Sequence, residues 1–140
     1  MASSGGNYAR SNPPAASLYG FARSEAERHK WIESQKRGRD LGDEAIRDWG
    51  RRYWRQCLRA RWIEPLNGER RWAELPEADF GLLQRDFHPN RTLTAGIVDR
   101  IKQGGENLDI LVWVLTSGAS VEDAVAILER LDINSARLRF

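Results

Sequence analysis

The sequence predicts an all-α fold, a small bundle of about six helices. Apolar residues recur at helical spacing through most of the chain, and glycine, proline or a capping residue separates one periodic stretch from the next. A length of 140 residues, 41% of them hydrophobic and 30% charged, is typical of one globular domain. We therefore expect residues 21–140 to form a single helical domain.

The beginning of the chain has a different composition. Residues 1–20 are rich in serine, glycine, asparagine, proline and alanine, so we expect a flexible N-terminal arm. The first helix is predicted over residues 24–37, because Ser24-Glu25-Ala26-Glu27 fits a capping box. Gly38 is expected to end it.

A second, longer helix is predicted over residues 42–64. Asp40 is a suitable capping residue before it, and Pro65 with Asn67-Gly68 is expected to end it. The alternative for residues 63–75 is a short β-hairpin that turns at Asn67-Gly68. Residues 58–63 do not alternate with period two, which favours the helix there.

Four shorter helices are predicted in the remainder of the chain. They cover residues 77–86, a stretch that begins at Thr92 or Thr94 and ends at Gln103, and residues 106–116 and 120–131. Ser120 is expected to cap the last of them. Apolar residues at helical spacing are expected to fill a common core: Ile97, Ile101, Leu108, Leu111, Val112, Leu115, Val121, Val125, Leu128 and Leu131. Among the six tryptophans, Trp31, Trp49 and Trp113 also fit core positions.

Several classes of protein are excluded by composition. Cys57 is the only cysteine, so an intrachain disulfide is impossible and a reducing compartment is expected. No apolar run approaches the roughly 18 residues of a membrane span. The N-terminus also lacks the apolar segment of a secretory signal. We therefore expect a cytoplasmic protein with no membrane contact.

The formal net charge of +2 is unevenly distributed. Residues 23–71 hold fourteen Arg and Lys against nine Asp and Glu, a net of +5, while residues 72–140 hold seven against eleven, a net of −4. Arg10 supplies the remaining charge. The helical domain is thus predicted to have a basic, tryptophan-rich half and an acidic half.

The helix predicted over residues 42–64 carries an unusual set of side chains. Arginine recurs at every fourth position and forms one row along it: Arg47, Arg51, Arg55 and Arg59. A second row beside the first contains Trp54, Leu58 and Trp62. The opposite side is apolar and must be buried. The arginine and tryptophan rows are therefore the candidate binding surface.

We expect an anion to offset the repulsion between the arginines of this row. Like charges at this spacing repel by a few tenths of a kcal/mol per pair, and no acid occurs between Arg55 and Arg61. Either an external anion meets the row, or the acidic half pairs with it internally. The acids closest in sequence for internal pairing are Glu74, Glu77, Asp79 and Asp86. Trp54 and Trp62 equally have a core interpretation, in which they pack against a neighbouring helix.

Three hypotheses of function follow. The first is a non-enzymatic helical binding or adaptor protein that engages an acidic protein partner, with an alanine variant at Arg51, Arg55 and Arg59 expected to fold and to lose that partner. The alternative is a nucleic-acid-associated protein whose arginines bind phosphates and whose tryptophans stack on bases. A small enzyme is the third. The predicted binding residues are Arg51, Arg55, Arg59, Arg61, Trp54 and Trp62.

A second candidate site is the turn between the first two helices. Basic residues and glycines precede a helix N-terminus there, where backbone N–H groups can bind an anion. Its residues are Arg37, Gly38, Arg39 and Gly42. The competing interpretation is a tight interhelical turn. No catalytic site, metal site or cofactor is predicted, because Glu25, His29 and Glu33 fit a solvated salt-bridge row and Cys57 lies on the apolar stripe.

The same part of the chain contains a recognisable pattern. It runs W-x-E-S-x-x-x-G-x-D-L-G-x-x-A-I-x-x-W from Trp31 to Trp49, followed by Trp72-Ala73-Glu74-Leu75 and Asp79-Phe80-Gly81. In this pattern the chain resembles a group of short, uncharacterised bacterial proteins, over about residues 24–86. The resemblance implies a bacterial, cytoplasmic protein and carries over no activity or binding residue.

Overall fold

The computed structural model describes residues 15–140, which form a helical bundle. Three short 3₁₀ helices, Glu77–Asp79, His88–Asn90 and Ile133–Ser135, accompany six α-helices in this range. The prediction of an all-α fold with about six helices is confirmed. The α-helices are α1 (Leu18–Arg37), α2 (Asp43–Leu66), α3 (Leu82–Asp86), α4 (Arg91–Lys102), α5 (Asn107–Ser117) and α6 (Val121–Leu131).

Helix α1 begins at Leu18, so the predicted start at Ser24 was wrong. Ser17 is the capping residue, and its hydroxyl accepts a hydrogen bond from the Gly20 N–H at 3.0 Å. Leu18 is fully buried, so packing of the first turn determines the start. The last residues of the predicted arm are therefore helical, whereas residues 1–14 lie outside the described residues. Gly38 ends α1 with φ 70°, as predicted.

Helix α2 extends through Pro65 to Leu66, beyond its predicted end. The Asn67 N–H donates to the Ile63 carbonyl at 2.9 Å and finishes the last turn. No strand occurs among residues 63–75, which excludes the hairpin alternative there. Trp72 instead forms an isolated parallel bridge with Ala16 in front of α1.

Helix α2 is the central element because it contributes to both hydrophobic clusters. Its first two-thirds pack against α1, with Ile46, Trp49 and Leu58 in a cluster that also contains Trp72. Its last turns join the cluster built by helices α3 to α6, through Ile63 and Leu66. A side chain on α2 between the two clusters therefore lies next to both halves of the domain.

Helix α5 presents an unexpected face to the core. Ile110 and Val114 are fully buried, whereas Leu108, Val112 and Leu115, which were predicted to be core residues, are exposed. Helix α5 carries apolar residues on every side, so periodicity could not identify the inward face. Val121 and Trp31, also expected in the core, are exposed too: Trp31 is 64% exposed.

The remaining boundaries lie close to the predictions, with one exception. The helix predicted over residues 77–86 is divided into a 3₁₀ turn and α3, because Gly81 takes a φ of 74° between them. Ser120 caps α6 by accepting from the Asp123 N–H at 3.1 Å, as expected. Glu106 caps α5 within a capping box with Asp109.

Glu74 holds the beginning of α1 in place. One of its carboxylate oxygens accepts from the Leu18 N–H at 2.6 Å, and the other accepts from the Ser17 hydroxyl at 2.7 Å. Burial alone would raise the pKa of Glu74, but these hydrogen bonds outweigh it and lower the pKa below its ordinary value. The ionised carboxylate therefore stabilises the folded state.

We expect this stabilisation to depend on pH with a definite sign. Because the folded pKa is lowered, the contribution is fully present above the unfolded pKa of about 4.3 and disappears as pH falls through the folded value. The measurement is the free energy of unfolding by urea between about pH 2 and 6. Glu74→Gln should lower the stability at pH 6 and flatten its pH dependence, relative to the exposed control Glu129→Gln. A pH dependence as steep as that of the wild type in Glu74→Gln would contradict this role.

Candidate functional site

The arginine row of α2 divides into exposed and buried members. The Arg55 side chain is 74% exposed, whereas that of Arg59, one turn further along, is 5% exposed. Arg51 lies on the outer surface and is paired with Asp48 at 3.7 Å. The row predicted as one binding surface therefore has two different roles.

Arg59 belongs to the internal structure. Its guanidinium donates to the Gly105 carbonyl at 2.9 Å and to the side-chain oxygen of Asn134, and it lies 3.6 Å from a Glu106 oxygen. Burial lowers the pKa of Arg59, and the Glu106 carboxylate opposes that effect. These contacts join α2 to the loop before α5 and to the last 3₁₀ helix. The prediction that Arg59 is free to bind a partner is wrong.

One acid, Glu106, pairs with both Arg55 and Arg59, which have no acid near them in the sequence. The Glu106 oxygens lie 3.3 Å from Arg55 and 3.6 Å from Arg59. The acids proposed from sequence proximity have other contacts: Glu77 pairs with Arg71, and Asp86 pairs with Arg130. Internal pairing with the acidic half therefore occurs, but through Glu106, which lies in the loop between α4 and α5.

Trp54 is a packed side chain with a specific polar contact. It is 9% exposed, and its indole N–H donates to the Leu138 carbonyl at 2.6 Å. The rings of Tyr19 and Phe140 lie against it, with centroid distances of 6.0 Å and 5.5 Å. Trp54 is thus packed against two other rings and leaves little of its own ring exposed.

Two of the predicted binding residues lie elsewhere. Arg61 lies over the Phe21 ring, 5.0 Å from its centroid, and is 3.4 Å from Glu64. Trp62 is partly buried and packs against both hydrophobic clusters. Their position on the α2 sequence suggested one surface, but the helix turns them toward α1 and the core.

A cleft of about 550 Å³ lies between α2 and residues 136–140, which we call the C-terminal segment. Its polar lining is dominated by four arginines: Arg55, Arg59, Arg137 and Arg139. Trp54, Leu58, Ile133, Ala136 and Leu138 provide apolar surface, and Asn134 completes the lining. No carboxylate belongs to the lining that the described residues form. We refer to this site as the arginine cleft.

Sequence reasoning missed the part of the cleft that the C-terminal segment supplies. Arg137 and Arg139 alternate with Leu138 and Phe140, a pattern that places charged and apolar side chains on opposite sides of an extended chain. This alternation was the available signal. Nothing in the sequence indicates that the segment returns to α2.

The turn predicted to bind an anion is built as a tight connection. Gly38 and Gly42 have φ values of 70° and 66°. The Leu41 N–H already donates to the Ser34 hydroxyl at 3.0 Å, and the Gly42 N–H donates to Asp40 at 2.9 Å. These backbone donors are occupied, which favours the interpretation as an interhelical turn.

The arginines of that turn face carboxylates. Arg37 and Arg39 line a small pocket of about 250 Å³ that also contains Glu33, Glu44 and Asp48. An anion entering this pocket would meet acids as well as bases. The turn therefore differs from the arginine cleft, whose lining contains no carboxylate.

The residues considered for metal binding or catalysis do not come together as one site in the described part of the chain. His29 pairs with Asp48 across the two helices at 3.3 Å, rather than with Glu25 or Glu33. Burial raises the pKa of Cys57 to about 11, so its thiol stays protonated at neutral pH. Within residues 15–140, no group of His, Cys, Asp and Glu is arranged to hold a metal ion. The same residues include no helix with the length and apolar character needed to cross a membrane.

Comparison of the chain with protein-family models, with curated proteins and with solved structures finds no significant match.

Proposed function

We propose that this protein is a non-enzymatic binding protein that engages an acidic protein partner through the arginine cleft. The observation that carries the proposal is the lining itself, which holds three exposed arginines, Arg55, Arg137 and Arg139, and no carboxylate among the described residues. Glu106 lies outside the lining and is already paired with Arg55 and Arg59. The cleft therefore has a positive potential that attracts carboxylates.

The apolar part of the lining adds a second requirement for the partner. Leu58, Ile133 and Leu138 provide surface that gains from contact with an apolar side chain. Arginine guanidinium groups pair with carboxylates through two parallel hydrogen bonds. A segment that carries carboxylates around an apolar anchor would satisfy both kinds of surface.

The packing of Trp54 favours a protein partner over nucleic acid. Binding of single-stranded nucleic acid depends on aromatic rings whose faces are open to bases. Tyr19 and Phe140 already lie against Trp54, and its indole N–H is bonded to the Leu138 carbonyl. The exposed arginines remain able to contact phosphates, so the alternative is a necessary arm of the test.

Fluorescence anisotropy with two labelled probes tests the proposal. The probes are a short peptide of alternating glutamate and leucine and a single-stranded oligonucleotide, each at low and high salt. We expect the wild type to prefer the peptide. We expect Arg55→Ala/Arg139→Ala to weaken peptide binding by about tenfold, because two exposed charged contacts of about 0.7 kcal/mol each amount to about 1.4 kcal/mol.

The matched control is Arg23→Ala/Arg28→Ala, which also removes two exposed arginines, with side chains 60% and 72% exposed, from α1. It should leave peptide affinity within about twofold of the wild type, since changes far from the contact alter only the general charge. Preference for the oligonucleotide, with affinity falling steeply as salt rises, would favour the nucleic-acid alternative instead. Equal losses in Arg23→Ala/Arg28→Ala and in Arg55→Ala/Arg139→Ala would rule out the cleft as the site.

A further inference from the structure

The C-terminal segment is anchored on α2 by Phe140, which packs against Trp49 and Trp54 at a position that we call the aromatic seat. The Phe140 ring lies 4.9 Å from the Trp49 ring and 5.5 Å from the Trp54 ring, between centroids. Gly50 forms the floor of this seat, because a Cβ atom there would lie 2.5 Å from the Phe140 ring. A glycine at this position of α2 thus permits the close approach of the segment.

A second anchor lies two residues earlier. The Leu138 carbonyl accepts the Trp54 indole N–H at 2.6 Å. The Arg137 guanidinium donates to the Ala136 carbonyl at 2.8 Å and to the Asn134 carbonyl, so the segment's own backbone orients it. The two anchors fix the stretch that carries Arg137 and Arg139 along one side of the cleft.

The two walls of the arginine cleft both carry positive charge, which disfavours their close approach. Arg55 and Arg59 lie on the α2 side, and Arg137 and Arg139 lie on the other. Glu106 is the only described acid paired with Arg55 and Arg59, and no ion pair joins a described acid to the arginines of the segment. Like charges therefore repel across the cleft, and a carboxylate placed between the walls would convert that repulsion into attraction.

We propose that residues 136–140 act as a clamp, so that an extended acidic segment of a partner protein is gripped between Arg55 of α2 on one side and Arg137 with Arg139 on the other. Phe140 is a positioning residue in this arrangement, because it holds the second wall without contacting the ligand. The inference rests on the proposed function of the cleft. It adds that the site is incomplete without the C-terminal segment.

A double-mutant cycle on the full chain tests the clamp. The probe is the labelled glutamate–leucine peptide, and the variants are Phe140→Ala, Arg137→Ala/Arg139→Ala and the combination of all three. We expect Phe140→Ala to weaken binding by about tenfold although every arginine is retained, since an unanchored wall must be ordered when the ligand binds. The combined variant should bind no more weakly than the arginine pair alone, because Phe140 acts only through those arginines.

A second variant perturbs the seat without removing a ring or a charge. Gly50→Ala places a methyl group against the Phe140 ring, while alanine is favoured over glycine within a helix. It should therefore keep α2 intact and weaken peptide binding in the same direction as Phe140→Ala. Thermal unfolding of each variant verifies that the protein is folded in the binding assay.

The outcomes separate the clamp from the proposed function. Wild-type affinity in both Phe140→Ala and Gly50→Ala would overturn the clamp, and so would tighter binding, which would mean that the segment obstructs the ligand. If Arg55→Ala still weakens binding in those cases, the proposed function stands alone. Full additivity of Phe140→Ala with the arginine pair would also contradict the clamp. Failure of the wild type to bind the peptide would refute both.

Discussion

Replacement of Arg59 by alanine is expected to lower the free energy of unfolding by about 3 kcal/mol, from the loss of two hydrogen bonds made by a charged donor and of the packing of its long side chain. Arg59 is buried and hydrogen-bonded to the Gly105 carbonyl and to Asn134. Its removal leaves these acceptors without their donor, and a cavity remains where the long side chain was packed. The loss should appear as a lower midpoint in urea-induced unfolding, with an unchanged slope.

Arg55→Ala is the matched control, because Arg55 pairs with the same Glu106 from an exposed position one turn away. An exposed ion pair contributes little, so the control should change stability by no more than about 0.5 kcal/mol. An alanine variant at Arg51, Arg55 and Arg59 together is consequently expected to be destabilised, contrary to the sequence-based expectation that it folds normally. Equal and small losses in both single variants would contradict the structural role of Arg59.

Trp72→Ala is expected to have a similarly large effect, a loss of about 4 kcal/mol, in the range of core tryptophan truncations. Trp72 is 2% exposed, and its indole N–H donates to Glu64 at 2.9 Å. Phe21 packs edge-on against the ring, and the Arg70 guanidinium lies 4.0 Å from its centroid on the face. One side chain thus ties the segment after α2 to both long helices.

Two further substitutions serve as comparisons for Trp72→Ala. Trp72→Phe retains a ring but loses the hydrogen bond to Glu64, and should cost about 1–3 kcal/mol. Trp31→Ala removes a tryptophan that is 64% exposed on α1 and should cost no more than about 0.5 kcal/mol. Urea unfolding followed by circular dichroism measures all three. A loss for Trp31→Ala equal to that for Trp72→Ala would show that burial does not determine these effects.

The local features of the fold were predictable from the sequence. Gly38 ends α1, and Ser120 caps the beginning of α6. Both features could be predicted because a left-handed glycine and a side-chain cap each depend on only one or two neighbouring residues. The start of α1 was not predictable in this way. Leu18 is buried against other elements, and Glu74, distant in the sequence, satisfies its N–H.

The candidate site was predictable only in part, since its walls come from α2 and from the C-terminal segment, which are far apart in the sequence. The arginine periodicity of α2 drew attention to Arg55, which lines the arginine cleft. It could not identify Glu106 as the counterion or Arg137 and Arg139 as the second wall, because tertiary packing brings them to α2. Likewise, burial separates Arg59 from Arg55, although both have the same place in the sequence repeat.

The most direct test of the account observes the arginine side chains during ligand binding. Two-dimensional NMR resolves the Nε–H signals of ¹⁵N-labelled protein as the glutamate–leucine peptide is added, and arginine-to-lysine variants assign them. We expect saturable shifts for Arg55, Arg137 and Arg139, with the Arg23 and Arg28 signals of α1 unchanged. Equal shifts across all exposed arginines, or shifts confined to α1, would contradict the proposal that the arginine cleft binds an acidic partner.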